Sequence, residues 1–241
     1  MKYLEISLPS PADNLACDEA LLESAEAGLG GEVLRFWSSP SLFVAVGYAN
    51  HVAVEANVSA CEKDQIGIFR RCTGGGTVLQ GPGCLNYSLI LAITDSGPLQ
   101  TITGTNRFIL ERQKAALDPL LSHPVEIQGH TDLAIQNLKF SGNAQRRRRR
   151  FCLFHGSLLL NFDLALIEKY LPMPSKQPGY RDDRSHGDFL VNLNLAPKVV
   201  QESLRAVWQA AEPLSADDIP MASVDKLVTT KYSTREWNYK L

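Results

Sequence analysis

The chain has 241 residues, 44% of them hydrophobic and 21% charged, with a formal net charge of −2, which suits one soluble globular domain with a sizeable core. No apolar run approaches the ~18 residues that span a bilayer, and Met1-Lys2-Tyr3-Leu4-Glu5 lacks the apolar core of a secretory signal. Five scattered cysteines, at 17, 61, 72, 84 and 152, argue against a disulfide framework and a structural zinc site, so the reading is a reduced, cytoplasmic protein with no membrane association.

Residues 2–8 alternate as a strand until Pro9 and Pro11 break the pattern. Residues 14–26 carry Leu15, Ala16, Ala20, Leu21 and Leu22 with acids beside them, which predicts an amphipathic helix. Asp13 is its candidate N-cap, and Gly30-Gly31 its end. Residues 33–37 and 42–46 read as short strands separated by a Ser/Pro turn, and 57–65 as a helix. Residues 67–70 form a strand that feeds a glycine loop, followed by strands at 77–79 and 85–93. The longest helical pattern is 105–121. Short β segments are expected around Val125 and at 133–135, 139–141 and 153–161, then a helix from 163 to 171. Pro172, Pro174 and Pro178 make the stretch to residue 187 irregular, and 198–211 and 223–231 are helical. Strands and helices mix without regular βαβ alternation, which favours an α+β fold with helices packed on a sheet, in a single domain over 1–241.

Gly74-Gly75-Gly76 follows Arg70-Arg71 and precedes Thr77-Val78-Leu79. Such a turn lets backbone N–H groups approach an anion, and the arginines add positive charge at its mouth. A plain Gly-rich hairpin explains the loop equally well. Neither a Walker loop nor a dinucleotide-binding pattern is present. Gly81-Pro82-Gly83 enforces a turn, after which Asn86 offers an amide that either faces the same pocket or stabilises the turn. Lys139 lies between apolar residues on a predicted strand, beside Gly142. It either extends to solvent or polarises an acyl carbonyl and neutralises a phosphate. His155, next to Gly156, reads alone as a hydrogen-bonded structural histidine. Arg146 to Arg150 form a basic run, read either as a phosphate-binding patch or as a solvated loop. In either case it would attract an anionic ligand or an acidic partner.

Five segments in order resemble the lipoate–protein ligase A family of the biotin/lipoate ligase superfamily. They are Asn14-Leu15-Ala16-Cys17-Asp18-Glu19-Ala20-Leu21-Leu22; Leu34-Arg35-Phe36-Trp37 through Val46-Gly47; Arg70-Arg71-Cys72-Thr73-Gly74-Gly75-Gly76-Thr77-Val78; Leu138-Lys139-Phe140-Ser141-Gly142-Asn143-Ala144 with His155-Gly156-Ser157-Leu158-Leu159; and Tyr232-Ser233-Thr234-Arg235-Glu236-Trp237-Asn238. The resemblance covers nearly the whole chain. It implies a mixed, largely antiparallel sheet with packed helices. It also implies an ATP- and Mg2+-dependent ligase that activates lipoate or octanoate as acyl-AMP and passes it to a lysine of a lipoyl domain or glycine-cleavage-H-like carrier. By that likeness Lys139 contacts the acyl carbonyl and phosphate. The loop Thr73, Gly74, Gly75, Gly76, Thr77 lies along the acyl-adenylate, and Arg70 binds phosphate or carboxylate. Asn86 and Asp132 hold the nucleotide side, with Asp132 a route to Mg2+. Trp37 and Val78 wall the acyl tunnel, and Ser141, Gly142, Ala144, His155 and Gly156 complete the substrate site.

The chain departs from the pattern at Gln80, where many relatives carry His, and it ends where the catalytic domain would end, so an accessory C-terminal domain is expected to be absent and a separate accessory subunit is possible. The rival activity is ATP-independent octanoyl or lipoyl transfer. Relatives with that activity use a cysteine nucleophile shortly before the lysine block or in the loop beyond His-Gly. Residues 118–138 contain no Cys, and the later loop reads Leu171-Pro172-Met173-Pro174. Cys152 is the nearest thiol in sequence, in a strand where a buried structural cysteine is the commoner reading. A non-catalytic carrier- or nucleic-acid-binding protein would need the lysine and glycine loop to be vestigial, so nucleic acid is not an expected partner.

Overall fold

Alternating apolar residues on long central strands build the molecule around one sheet. The computed structural model describes residues 1–241. The first half runs β1 (Lys2–Glu5), α1 (Pro11–Ala27), β2 (Val33–Trp37), β3 (Phe43–Val46), α2 (Val52–Glu55), α3 (Val58–Lys63), β4 (Gly67–Arg70), β5 (Val78–Gln80), β6 (Cys84–Ala92) and α4 (Ile102–Leu117). Then come β7 (Glu126–Gln128), β8 (Asp132–Ile135), β9 (Leu138–Arg147), β10 (Phe151–Leu159), α5 (Ala165–Tyr170), α6 (His186–Phe189), α7 (Pro197–Val207), β11 (Glu212–Pro213), α8 (Met221–Leu227) and α9 (Arg235–Asn238). The large sheet has the order β11-β1-β2-β6-β10-β9-β8-β7. Its β1 is parallel to β2 and β11, and every other pair is antiparallel. A small sheet, β4-β3-β5, pairs β3 parallel to β4 and antiparallel to β5. This is the mixed, largely antiparallel α+β architecture expected from the sequence. No helix is long and apolar enough to cross a membrane.

The two-residue period of β6 and β10 separates the layers. Leu85, Tyr87, Leu89 and Leu91 of β6, with Cys152, Phe154 and Leu158 of β10, pack under Ile109 and Leu110 of α4 and Val200 and Leu204 of α7. On the opposite face Ile90 and Leu153 lie under α1. Further along that same face the residues become Ser88, Asn86, His155 and Ser157. There Asp18 of α1 reaches His155, and beyond Leu15 and Asp18 a cavity opens over the sheet.

Several boundaries differ from the sequence expectation. Ser10, not Asp13, caps α1: the Ser10 hydroxyl accepts from Asp13 N–H, and Asp13 returns a bond to Ser10 N–H, a capping box. The helix ends at Gly28 with φ 81°, short of Gly30-Gly31. It is buried on most sides rather than amphipathic, because α8 and β10 pack on it as well. Its acids are buried with partners. Asp18 pairs with Arg35 at 2.6 Å, and Glu19 accepts from Lys231 at 2.5 Å and the Tyr232 hydroxyl at 2.7 Å. The helix α4 starts at Ile102 because Thr101 caps it, and β9 is one ten-residue strand rather than the segment 139–141.

The basic run closes the β9–β10 hairpin and is engaged internally. Arg146 donates to Cys72 O at 3.1 Å, and Arg147 to the Thr105 hydroxyl at 2.9 Å. Arg148 pairs with Glu23, and Arg150 N–H donates to Glu26 at 2.9 Å. These contacts tie the hairpin to α1 and α4, while Arg148, Arg149 and Arg150 remain exposed.

Burial alone would raise the Asp18 carboxyl, but Arg35, His155 and Ser88 outweigh it and hold the group below its ordinary 3.8. Because the folded value is the depressed one, its stabilisation is complete above the unfolded value and is lost as pH falls through the folded one. Asp18→Asn is expected to cost about 3 kcal/mol, since it leaves the Arg35 charge buried and unpaired. It should also flatten the acid limb of the stability curve; urea titrations at pH 7 and at pH values below about 4 measure both effects.

Candidate active site

Strand register draws a line of side chains across the cavity floor. Trp37 pairs with Asn86, Asn86 with Ser157, Ser157 with Gly142, and Gly142 with Asp132. Four inter-strand steps of ~4.8 Å make the line about 19 Å long. Two residues away on the same strands runs a second line, Arg35, Ser88, His155 and Ala144. These lines underlie a cavity of about 710 Å3, with β5 and its preceding glycine loop as one wall and parts of residues 171–190 as another.

Lys139 reaches this face through a β-bulge. Leu133 opposes Ser141 while Ala134 opposes Lys139, so Phe140 is an extra residue in β9. In an unbroken strand Lys139 and Gly142, three apart, would point to opposite faces. Here Phe140 turns into the core, and the Lys139 side chain lies over Gly142. A Cβ added there would sit 3.1 Å from Nζ. Nζ pairs with Asp132 Oδ1 at 2.8 Å, and Asp132 Oδ2 accepts from the Tyr180 hydroxyl at 2.9 Å. Burial and the Asp132 charge push the Tyr180 phenol far above its ordinary value, so it remains a donor. Alongside, Tyr87 OH donates to Asn143 Oδ1 at 2.5 Å, and Asn143 Nδ2 donates to Thr131 O at 2.7 Å. This network fixes the turn that precedes Asp132.

The glycine loop is held by arginine. The Arg71 guanidinium donates to the carbonyls of Ala45, Gly74 and Gly76 at 3.1, 2.5 and 2.6 Å, and to the Thr73 hydroxyl at 3.0 Å. Burial pulls its pKa down to about 10. Gly75 has φ +82°, and a Cβ there would lie 3.0 Å from Arg71 Nη2, so the fold itself requires glycine. Gly74 and Gly76 border open space. His155 joins the loop to α1: Nδ1–H donates to Asp18 Oδ2 at 3.1 Å, and Nε2 accepts from the Thr73 hydroxyl at 2.7 Å, the tautomer being assigned from the Asp18 carboxylate.

Thirteen of the expected site residues line the cavity: Trp37, Gly75, Gly76, Thr77, Val78, Asn86, Asp132, Lys139, Ser141, Gly142, Ala144, His155 and Gly156. Arg70, Thr73 and Gly74 do not. The phosphate role expected of Arg70 is corrected by its geometry. It is fully buried, and it donates to the carbonyls of Gly47, Tyr48, Asn50, Trp237 and Asn238 at 2.7–3.2 Å. Asn86 and Asp132 were expected to hold one nucleotide. They stand three strand steps apart, about 14 Å, with Asn86 beside Trp37. No group of three His, Cys, Asp or Glu side chains that could hold a metal ion occurs. Asp132, the carboxylate expected to lead to Mg2+, is bonded to Lys139 and Tyr180; one carboxylate completed by nucleotide phosphates is the usual protein share of such a site. All five cysteines are free and buried, and none lines the cavity. Burial pushes Cys72 and Cys84 up to about 12, and Cys17 and Cys152 up to about 11. Arg71, expected with Arg70 to add positive charge at the loop mouth, is instead engaged by loop and strand carbonyls, and Tyr180 and Asp18 were not among the expected site residues. Asp18 lay inside the matched first helix, whereas Tyr180 sits in a proline-rich stretch that composition reads only as loop.

The lipoyl protein ligase A/B catalytic domain matches residues 10–213. The chain belongs to this family. Relatives include the octanoyltransferase LipM of Brevibacillus brevis, 26% identical over 99% of this chain and 98% of its own. The "Probable lipoate-protein ligase A" of Mycoplasma pneumoniae is 27% identical over 95% and 68%. Among solved structures, lipoate-protein ligase A bound with ATP aligns with TM-score 0.85 at 24% identity, covering 99% of this chain and 98% of its own. A bipartite lipoate protein ligase from Thermoplasma acidophilum aligns with TM-score 0.82 at 23%, covering 99% and 95%. At such identities these structures bear on the fold alone, which they share.

Within the lipoyl ligase A/B fold, Gly142 is the position that most directly tests the lysine geometry. Gly142→Val is expected to displace the Lys139 side chain and lower turnover by at least ~10-fold, with little change in melting temperature. Gly75→Ala should instead lower stability by about 1–3 kcal/mol through its positive φ. Thermal melts alongside rate measurements separate the two effects.

Proposed function

We propose that this chain attaches a lipoyl or octanoyl group to a lysine of a lipoyl-domain or glycine-cleavage-H-like carrier, by way of an acyl-adenylate made with ATP. In the first step a carboxylate oxygen attacks the α-phosphorus, and pyrophosphate leaves. In the second the carrier amine attacks the acyl carbonyl, AMP leaves, and the nitrogen gives up a proton. The observation that carries this reading is Lys139, an ammonium turned by a bulge into a glycine-walled cavity with no thiol beside it. Asp132 and Tyr180 hold the ammonium in place. Charge building on the acyl and phosphate oxygens then meets a preorganised cation.

A second reading is acyl transfer from an acylated carrier without ATP. Its support is the match to octanoyltransferases over 98% of their length, against 68% for the Mycoplasma ligase, and by overall similarity it stands ahead. A thiol-mediated route needs an accessible cysteine, and none of the five reaches the cavity. Direct attack of the carrier amine on a thioester, with the donor thiol leaving, would need only Lys139 to polarise the carbonyl.

Intact-mass assays on a lipoyl domain separate the readings. With lipoate and ATP the domain should gain a lipoyl group as pyrophosphate appears. Lys139→Ala should lower that rate by about 10²–10³-fold without changing the melting temperature. Iodoacetamide treatment of the native protein should leave the rate unchanged. Modification by an octanoyl carrier in the absence of ATP, with no pyrophosphate release from free acids, would establish the second reading.

A further inference from the structure

A row of cations runs along the outer side of the glycine loop. Arg146 lies two residues beyond the cavity-lining Ala144 on the same face of β9, about 7 Å away. It donates to Cys72 O at 3.1 Å, at the start of the loop, and its other terminal nitrogen lies 3.8 Å from Glu19. The same carboxylate pairs with Lys231 at 2.5 Å. Lys231 stands 4.0 Å from the Trp237 ring centre, and Lys240 stands 4.4 Å from it. Lys240 also lies 3.3 Å from the Tyr48 ring centre, and Tyr48 N–H donates to Thr73 O at 2.8 Å. Arg148 and Arg149, both exposed, extend the row at the hairpin tip.

Two features set this ridge apart from a solvated face of mixed charge. Its charge is one-sided, in a chain whose net charge is −2. Ion pairs reach Arg146, Arg148 and Lys231, through Glu19 and Glu23, and leave Arg149 and Lys240 without one. Such a row repels itself, and an opposing acidic surface removes that cost. Its middle is aromatic: Tyr48 is 44% exposed, and Trp237 is flanked by two ammonium groups. Aromatic side chains within a charged rim are the anatomy of a protein interface.

We propose that this ridge docks the carrier domain, through carboxylates that flank its acceptor lysine. The proposal rests on the reading of the chain as an enzyme that acylates a carrier lysine. Gly74, Gly75 and Gly76, between the ridge and the cavity, are exposed. A folded carrier of about 80 residues is ~30 Å across, so with its lysine in the cavity its surface extends over the loop to the ridge. Opposite charges there speed encounter and fix the orientation in which the lysine arrives.

Fluorescence anisotropy with a labelled, unacylated lipoyl domain tests the docking without turnover. Raising NaCl from about 50 to about 300 mM should weaken its binding to the wild type about 10-fold. Combining Arg149→Glu with Lys240→Glu should weaken binding at least ~10-fold at low salt and remove most of the salt dependence. Pyrophosphate release from lipoate and ATP without carrier, and the melting temperature, should not change. Replacing the acidic residues beside the domain's acceptor lysine with amides should weaken binding to the wild type and leave binding to the doubly reversed variant unchanged. Binding that salt and the reversals leave unaltered overturns the proposal, as does no binding at all. So does a short RNA bound as tightly as the domain and lost in the same variant, which would make the ridge a general polyanion site. A domain that binds as described, yet is acylated neither from lipoate with ATP nor from an octanoyl carrier, overturns the proposed function and leaves the docking surface standing. The wild-type salt dependence decides the matter where a variant fails to fold.

Discussion

The antiparallel register that sets Ser157 opposite both Asn86 and Gly142 determines where every polar group of the cavity lies. A slip of one residue in β10 would exchange its two faces, sending His155 and Ser157 into the core and Phe154 and Leu158 into the cavity. The apolar side chains of β6 and β10, packed under α4 and α7, oppose that slip. The core therefore specifies the site. The bulge at Phe140 is the single interruption in this pattern, and it falls where an ammonium has to cross from one face to the other. Bulges that re-aim a side chain are characteristic of functional sites.

Around that sheet, buried charge acts mainly on the protein's own backbone. Arg35 holds Asp18, Asp18 orients His155, and His155 bonds Thr73 at the base of the glycine loop. Arg71 then holds two loop carbonyls from beneath. The loop is thus braced from α1, β2, β3 and β10 together, while Gly74 and Gly76 stay open on their outer side. Two adjacent arginines that look alike in sequence have separate tasks. Arg71 shapes the loop, and Arg70 joins β4 to the segment around Trp237 and Asn238.

The sheet strands were legible because alternation and glycine punctuation mark them. Residues 33–37 and 67–70 appear as read, and most other strands fall within one or two residues. The cavity residues carried by those strands were legible for the same reason. Direction was not. A lysine on a strand has two possible faces, and a bulge, which leaves no composition signal, chose between them. Arginines beside a glycine loop suggest anion binding, but whether carbonyls already saturate them depends on residues far away in sequence, such as Trp237 with Arg70. Part of the five-arginine run is engaged in the same way, by Glu23 and Glu26, which lie more than a hundred residues earlier. Long-range pairing is invisible to a local reading of charge.

The cysteines bear most directly on chemistry. Overall similarity leans toward acyl transfer, yet every thiol here is buried, and four are pushed to about 11 or 12, where the thiolate is scarce near neutral pH. A thiol nucleophile has to be accessible as well as ionised, and these five are buried and outside the cavity lining. Among the groups lining the cavity is the Lys139 ammonium, paired with Asp132, a group that stabilises developing negative charge without forming a covalent intermediate. Under the proposed function, an acyl donor would arrive already activated, as adenylate or thioester, and meet the carrier amine directly. Chemistry of that kind depends on positioning more than on a reactive side chain. That dependence fits a lysine held by Asp132, which Tyr180 holds in turn.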